Sequence, residues 1–521
     1  MYDIIIIGGG FSGAYAALEL AKDGYKILIL DEGTQMVGSN STSYNQCYKL
    51  HSGVHYFGDV VTARKCLIDS IICARQWSQF LLGEPGSLPR RNRHYIMSNS
   101  LFNINEARKV AATLSQTYAD LIEKDPANEV FGDPKDFIKE VVVDKRGYVA
   151  QEMSFVKLVK KSKKSSVVFA LDVGEPQVDI QKIREHLHHK ITHTENITSR
   201  FNCEVTDIKR NKNNLGYRVT AVESDGDNKT KSVNFRSKGI VNCAWQNIEL
   251  LNKKAGIDVE NPNSLLIRMK ISLLVKLPKK LENMDTCIFS LGPYCSVTNQ
   301  YDGMAVLTYE PATNVGHYFQ GDQPSEEMRY IQERRDSLIA TKRGQKIARD
   351  IIEGCAVYVP ELKHSQLMEI RVGYVKIYVN NHEEYSIYDK KSPIHRRRED
   401  GVIVHDPDVA RCYISASGMK MTYAQSNAEK IRCIMKKEMA RRKCHEQILK
   451  QPGIVKKAQR ALKKSVADLQ GLLNLEHDQE QEQFIYETKD AYERANKERV
   501  SSLESTLLKN PVTSDYFTPE S

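Results

Sequence analysis

Gly8, Gly10, Gly13 and Asp31 are the residues whose types and spacing could do chemistry together. The stretch Tyr2-Asp-Ile-Ile-Ile-Ile-Gly-Gly-Gly-Phe-Ser-Gly13 holds the Gly-x-Gly-x-x-Gly spacing, and Asp31 closes the next apolar run, Lys26-Ile-Leu-Ile-Leu30. Gly8 permits the tight turn leaving a strand, Gly10 lets the backbone approach a pyrophosphate, and Gly13 lets the following helix pack closely on its sheet. The helix start supplies N–H groups and the positive end of its dipole to phosphate. Asp31 stands eighteen residues beyond Gly13, close to the roughly 20-residue offset at which a carboxylate meets a ribose hydroxyl. An adenine dinucleotide is the implied ligand, and a redox enzyme the leading reading.

These residues need particular elements to hold them. Ile4 to Ile7 form a continuous apolar run, as in a parallel strand buried on both faces, and Ala14, Ala17, Leu18 and Ala21 recur at helical spacing before a capping Gly24. Residues 39–57 read as a long loop near the cofactor, followed by a helix over 61–82. Short strands over 94–97 and 140–144 flank a helix over 105–124, and the basic cluster 160–166 reads as an exposed loop. A helix over 181–189 precedes strands at 201–209, 216–224 and 232–235 and a buried strand over 239–244. Further strands are expected at 267–275, 305–309 and 369–379. Residues 411–430 return to the strand, glycine turn and helix pattern. Two such turns far apart in sequence imply one cofactor domain interrupted by substrate-domain segments.

The chain has 521 residues, 41% of them hydrophobic, a formal net charge of +9 and 11 cysteines without a Cys-x-x-Cys pair. That length exceeds one ordinary domain of about 100 to 200 residues. No apolar run approaches the roughly 18 residues of a membrane span, and the chain starts directly with a core strand, so no cleaved signal is expected. Scattered cysteines favour reduced thiols in a reducing, cytoplasmic compartment over a disulfide frame or a zinc site, and no metal is expected.

Four blocks carry a family resemblance: the fingerprint with Asp31; Lys49-Leu-His-Ser-Gly-Val-His-Tyr56; Ile240-Val-Asn-Cys-Ala244; and Gly418-Met-Lys-Met-Thr422 with Ala428-Glu429. Over roughly residues 1–435 the chain resembles the FAD-dependent oxidoreductases of the D-amino-acid oxidase superfamily. The second and fourth blocks are most similar to the glycerol-3-phosphate dehydrogenase and L-2-hydroxyglutarate dehydrogenase branches. Trp245 stands where that family usually has glycine, and the second block is about one residue shorter than the glycerol-phosphate pattern.

The resemblance implies an α/β (α+β) architecture. A Rossmann-like FAD-binding domain spans 1–84, 170–265 and 400–435, a mixed-sheet substrate domain 85–169 and 266–399, and a helical extension 436–521. It implies FAD, with Gly8, Gly10, Phe11, Ser12 and Gly13 at the pyrophosphate, Asp31 at the adenosine ribose with Glu32 beside it, and Val205 at the adenine. Ser43, His51 and Ala244 join the cofactor set, and Gly418, Met419, Lys420, Met421 and Thr422 lie against the flavin ring. A helix start there favours the negative charge that a reduced ring carries.

The same resemblance places His51, His55 and Tyr56 beside the flavin. His51 is the candidate base, because histidine titrates near working pH; structural hydrogen bonding in a packed loop is the competing account. Arg371, in Glu369-Ile-Arg-Val-Gly373, resembles the arginine with which some members clamp a substrate carboxylate, which suits a guanidinium fork; a surface arginine on a strand is the alternative. His51, Tyr56 and Arg371 form the expected catalytic set.

The expected activity is removal of hydride from a carbon bearing OH or NH2 in a small anionic substrate such as a 2-hydroxy acid, an amino acid or glycerol phosphate, with oxygen or a quinone as electron acceptor. A flavin-binding scaffold that has lost turnover is the rival of another class. Flavin attachment stays open, with Cys47 and His51 both near the cofactor loop. Residues 436–464 carry eleven basic residues against two acids, and 468–493 eight acids against one lysine. This suggests a helical tail packed on the enzyme as a cap; the sharper alternative is that its basic half, 436–464, contacts an anionic membrane peripherally. The basic stretch lacks interleaved aromatics, so no nucleic-acid partner is expected.

Overall fold

A computed structural model describes residues 1–46, 48–82, 91–143, 166–211, 216–225, 229–257, 265–290, 292, 294–319, 322–379, 386, 388–396, 401–405, 412–417 and 420–449; within these, the side chains of residues 378 and 444–449 are left aside. Two large sheets organise the described residues. The first has the order Val402–His405, Tyr413–Ala416, Thr230–Asn242, Tyr2–Ile7, Ile27–Leu30, Ile197–Arg200. The five strands from Tyr413–Ala416 to Ile197–Arg200 pair in parallel. Ile4, Ile5, Ile6 and Leu28 to Leu30 are fully buried, as befits strands covered on both faces. The antiparallel pair Cys203–Arg210 and Tyr217–Ser224 continues onto Thr230–Asn242.

The second sheet is mixed and has nine strands. Its long strand Leu265–Lys276 pairs along its length with Gln366–Tyr378, and its other edge meets Asn314–Phe319 and then Met304–Tyr309. Its core gathers Ile267, Met269, Ile271, Leu273 and Val275 with the helix Lys342–Ala356 through Ile347, Ile351 and Cys355. Strands of the first sheet come from residues 2–30, 197–242 and 402–416, and strands of the second from 92–173 and 265–378. The strand Val167–Val173, which straddles the expected boundary at 169/170, pairs with Asn92–Met97 and Ile138–Val141 in the second sheet.

Several expected elements take different bounds. The runs at 232–235 and 239–244 are one 13-residue strand, Thr230–Asn242; its first half alternates exposed and half-buried residues while its second is buried, so the pattern changes where the strand enters the core. The strand expected at 140–144 is Ile138–Val141. The helix expected over 61–82 ends at Gln76, after which Ser78–Phe80 tightens into a 3-10 turn. Thr286–Ser290, Cys295–Asn299 and Asn314–Phe319 are strands not anticipated at all. Residues 1–405 and 412–434 form one compact unit. The helix Tyr423–Leu449 extends well past the expected end at 435. Residues 160–165 and the tail beyond 449 lie outside the described residues.

Candidate active site

The glycine fingerprint is built as its spacing requires. Gly8 adopts φ +100°, and a Cβ there would stand 2.6 Å from the carbonyl oxygen of Cys243. A Cβ at Gly13 would stand 1.9 Å from the carbonyl oxygen of Gly8, so only glycine lets the helix Phe11–Ala21 start directly beneath the turn. No side chain of Gly10 can cap that helix; instead Ser43 Oγ accepts from the Phe11 N–H at 3.1 Å. Asp31 accepts from the Gly9 N–H at 2.5 Å and the Gly33 N–H at 2.7 Å. Burial raises its carboxyl pKa and these two amides oppose the rise.

A cavity of about 460 Å³ opens from this turn. Gly8, Gly10, Phe11, Ser12, Asp31, Glu32, Ser43, His51, Val205, Ala244, Lys420, Met421 and Thr422 line it, so the structure brings together these expected site residues. Gly13 does not line it; its place is under the turn. Gly418 and Met419 lie outside the described residues, as does Cys47. Tyr56 is buried behind His55, their rings 4.2 Å apart, with the Lys420 ammonium 4.5 Å from the Tyr56 ring centroid.

Arg371 is not among the cavity's lining residues. Its guanidinium donates to Glu369 at 2.8 Å and to Tyr48 Oη at 2.6 Å, and it lies 4.9 Å from the Tyr44 ring centroid and 5.2 Å from that of Tyr48. The loop that carries Tyr44 and Tyr48 covers this face of the strand Gln366–Tyr378, with the carbonyl oxygen of Asn45 pressed against Gly373. It is therefore neither in the cavity nor a surface arginine, since it is 4% exposed. The cations that do line the cavity include Lys49, Lys270 and Lys420. Lys270 pairs with Glu310 at 2.6 Å, and Glu310 also accepts from Arg268 at 2.8 Å. Burial raises the Glu310 carboxyl pKa, but Lys270 and Arg268 outweigh it and hold the group down to about 2.

His51 is fixed by its backbone. Leu50 N–H donates to the Pro176 carbonyl at 3.0 Å, Ser70 Oγ donates to the His51 carbonyl at 2.6 Å, and Ser52 N–H donates to Glu175 Oε1 at 2.7 Å. Gly53 then turns at φ +90°, where a Cβ would stand 2.2 Å from the Ala63 carbonyl oxygen. Burial, followed by Lys420, Lys49 and His94, drives the His51 pKa well below its ordinary 6.5. Its imidazole is thus neutral at neutral pH and able to accept a proton.

His51, His55 and Glu175 present donor atoms within 4.8 Å of one another. Both Glu175 oxygens are already taken: Oε1 by the Ser52 N–H and Oγ, Oε2 by Asn92 Nδ2 and His94 Nε2. Four hydrogen bonds thus occupy the Glu175 carboxylate, while His51 Nδ1 and His55 Nδ1 have no hydrogen-bond partner among the described residues. Sequence reading missed Glu175, because an acid in Gly-Glu-Pro looks like an exposed turn. It also missed Lys49 and Lys270. Lys270 had a signal: Arg268 and Lys270 alternate with apolar residues in an otherwise hydrophobic strand, which marks one polar face.

Trp245, which replaces the expected glycine, has φ +45°. A left-handed backbone is what glycine ordinarily supplies there. The indole keeps the turn by donating from Nε1 to the Tyr374 carbonyl at 3.2 Å, and it joins the cavity wall. Thr422 Oγ1, His51 Nδ1 and Ser272 Oγ are buried with no hydrogen-bond partner among the described residues, and all three residues line the cavity. Buried polar groups are normally satisfied, so this wall is complementary to a polar ligand. Among the described residues no helix is long and apolar enough to cross a membrane.

The glycine turn and Asp31 stand at one side of a cavity lined from both sheets, an arrangement suited to a dinucleotide. Residues 3–155 match the family model DAO, FAD dependent oxidoreductase, and the chain carries a domain of that kind. The fold is similar to glycine oxidase from Geobacillus kaustophilus (TM-score 0.51, 12% identity, 84% of this chain and 95% of that one). It is also similar to FAD-bound L-alpha-glycerophosphate oxidase from Mycoplasma pneumoniae (0.51, 16%, 84% and 94%) and to iminodiacetate oxidase from Chelativorans sp. BNC1 (0.52, 12%, 82% and 94%). In sequence, 78 residues are 31% identical to all-trans-retinol 13,14-reductase of Danio rerio, covering 14% of this chain and 13% of that protein. Another 56-residue match, at 38%, is to the Macaca fascicularis enzyme of that name and covers 11% and 9%. The chain thus matches only a small part of these curated relatives.

Proposed function

We propose that this enzyme oxidises a carbon bearing a hydroxyl or amino group in a small anionic substrate, with His51 accepting the proton. The observation that carries the reading is that one cavity joins the glycine fingerprint to His51, whose Nδ1 is buried with no hydrogen-bond partner among the described residues, and that Lys49, Lys270 and Lys420 line the same cavity. Gly8, Gly10, Phe11 and Ser12 hold the FAD pyrophosphate, Asp31 and Glu32 the ribose, Val205 the adenine, and Ala244 with Lys420, Met421 and Thr422 the ring. FAD, when bound, supplies the two-electron acceptor for the substrate's hydride.

The chain's own residues do the rest. His51 takes the hydroxyl or ammonium proton, which leaves the substrate electron pair free to form the C=O or C=N bond as the C–H hydride departs. The lysines on the cavity wall supply the positive charge that attracts the anion, a task that passes from Arg371 because that residue does not line the cavity. Trp245 and Tyr374 form part of the cavity wall.

Anaerobic mixing of the FAD-loaded enzyme with 2-hydroxy acids, amino acids and glycerol phosphate tests this. Bleaching of the flavin band by at least one of these anions is the expected result. Bleaching only by neutral, apolar substrates overturns the substrate class, and no bleaching by any reductant substrate favours the scaffold.

A further inference from the structure

Glu175 has no assigned part in the chemistry above, yet it lies beside the base. It is fully buried, and its two oxygens accept four hydrogen bonds, from Ser52 N–H at 2.7 Å, Ser52 Oγ at 2.7 Å, Asn92 Nδ2 at 3.0 Å and His94 Nε2 at 3.1 Å. Two of these donors belong to the residue that follows His51, so the carboxylate grips the loop at the point where the imidazole leaves it. The chain on Glu175's other side is locked to the same loop: Leu50 N–H reaches the Pro176 carbonyl and Val178 N–H the Tyr48 carbonyl. The His51 and His55 rings are 4.6 Å apart, and both bring a ring nitrogen within 4.8 Å of a Glu175 oxygen. His51 Nδ1 and His55 Nδ1 are buried with no hydrogen-bond partner among the described residues.

We infer that Glu175 is a positioning residue for His51: it fixes the imidazole at the cavity wall and, as a buried anion, stabilises the imidazolium that forms when His51 takes the substrate proton. This rests on the reading of His51 as the base. The groups near His51 are Lys49 on its own loop, Lys420 ahead of the helix Tyr423–Leu449, His55 across the Gly53 turn, His94 on the strand Asn92–Met97, and Glu175. Lys420, Lys49 and His94 disfavour a second positive charge, which keeps the resting imidazole neutral. Glu175 raises the pKa of the neighbouring His55, and the closeness of its oxygen to a His51 ring nitrogen, within 4.8 Å, puts the same negative charge beside His51. Burial raises the Glu175 carboxyl pKa, but His94, His55 and Ser52 outweigh that and keep it ionised. A neutral base with a fixed counter-charge behind it can take a proton without a large solvent rearrangement.

The experiment compares the FAD-loaded wild type with Glu175→Gln and Ser52→Ala. Flavin reduction is followed against pH, and the His51 imidazole is titrated by NMR in protein labelled at histidine. Removing the anion by Glu175→Gln lowers the His51 pKa by about one unit or more and kcat by about tenfold or more, while KM changes little. Ser52→Ala takes one donor from the carboxylate and leaves its charge less dispersed, so the His51 pKa moves the opposite way, up by a few tenths. If Glu175→Gln does not fold, the Ser52→Ala titration decides alone. An unmoved His51 pKa in the folded variants, or equal losses in kcat and FAD binding with an unmoved acid limb, overturns the inference and leaves Glu175 a packing group. Failure of every substrate to reduce the wild type would overturn the proposed reaction instead, and the NMR titration would still report on Glu175.

Discussion

At the scale of single residues, the proposed role of His51 as the base sets the expected pH behaviour. The His51 pKa is pushed below 6.5, chiefly by burial, so the base form persists as pH falls and is lost only when pH passes through the lowered value. Flavin reduction should stay flat from neutral down to below pH 6.5 and then decline; stopped-flow rates with the best substrate check this, and an acid limb at or above pH 6.5 would refute it. Replacing the base by His51→Gln should slow flavin reduction by about 10²- to 10⁴-fold with the protein still yellow. Lys49 and Arg371 should separate cleanly. Lys49→Met, at the cavity wall, should raise KM for an anionic substrate by about tenfold, because a charged contact of about 1.4 kcal/mol corresponds to that factor. Arg371→Met should lower Tm and leave KM nearly unchanged, because that guanidinium is spent on Glu369, Tyr48 and two rings. Substrate titration and thermal melting of the two variants give the answer.

At the scale of elements, the contact between the first strand and the first helix is the most sensitive joint. Gly13→Ala would put a methyl carbon 1.9 Å from the Gly8 carbonyl oxygen, so the helix Phe11–Ala21 must shift away from the turn proposed to hold the pyrophosphate. The expected outcome is a protein that purifies colourless, or unfolds at lower temperature, with FAD fluorescence titration as the measurement. The capping box at Asn103 and Glu106 offers a contrast. Asn103→Ala should cost about 1 kcal/mol of stability and leave FAD binding untouched, since that helix is remote from the cavity lining. Elements with strong local signals were legible in sequence: the Ile-rich first strand, the helix Ile104–Lys124, and the strand Leu265–Lys276. The strands Thr286–Ser290 and Cys295–Asn299 were not, because each is five residues long and takes its conformation from its neighbours' hydrogen bonds.

At the scale of the whole molecule, stability should respond to ligand and to acid. A ligand that binds the folded state alone raises Tm by mass action, so melting in graded FAD should climb and continue to climb with concentration. Glu310 links the mixed sheet through Arg268 and Lys270. Its folded pKa, about 2, is depressed from 4.5. It therefore contributes stability that is fully present above about pH 4.5 and is lost as pH falls toward 2. Glu310→Gln should flatten the pH dependence of Tm across that window; an unchanged slope would show the network contributes nothing there. The carboxylate remains partly exposed, and solvent screening keeps the effect modest.

Sequence by itself determined the dinucleotide cradle. Gly8, Gly13 and Asp31 act through backbone turns and sterics within thirty residues, and such local constraints show directly as residue type and spacing. It also exposed Trp245 as a departure, although only the φ of +45° explains why glycine is usual there. The tertiary structure decided which cations reach the cavity and which acid stands behind His51. Arg371 and Lys270 both read as charges on strands, and only the loop carrying Tyr44 and Tyr48 diverts one of them. Glu175 meets Ser52 across 123 residues of chain. No pattern along the sequence encodes that meeting, because burial and counter-charge arise from the packing of the two sheets together.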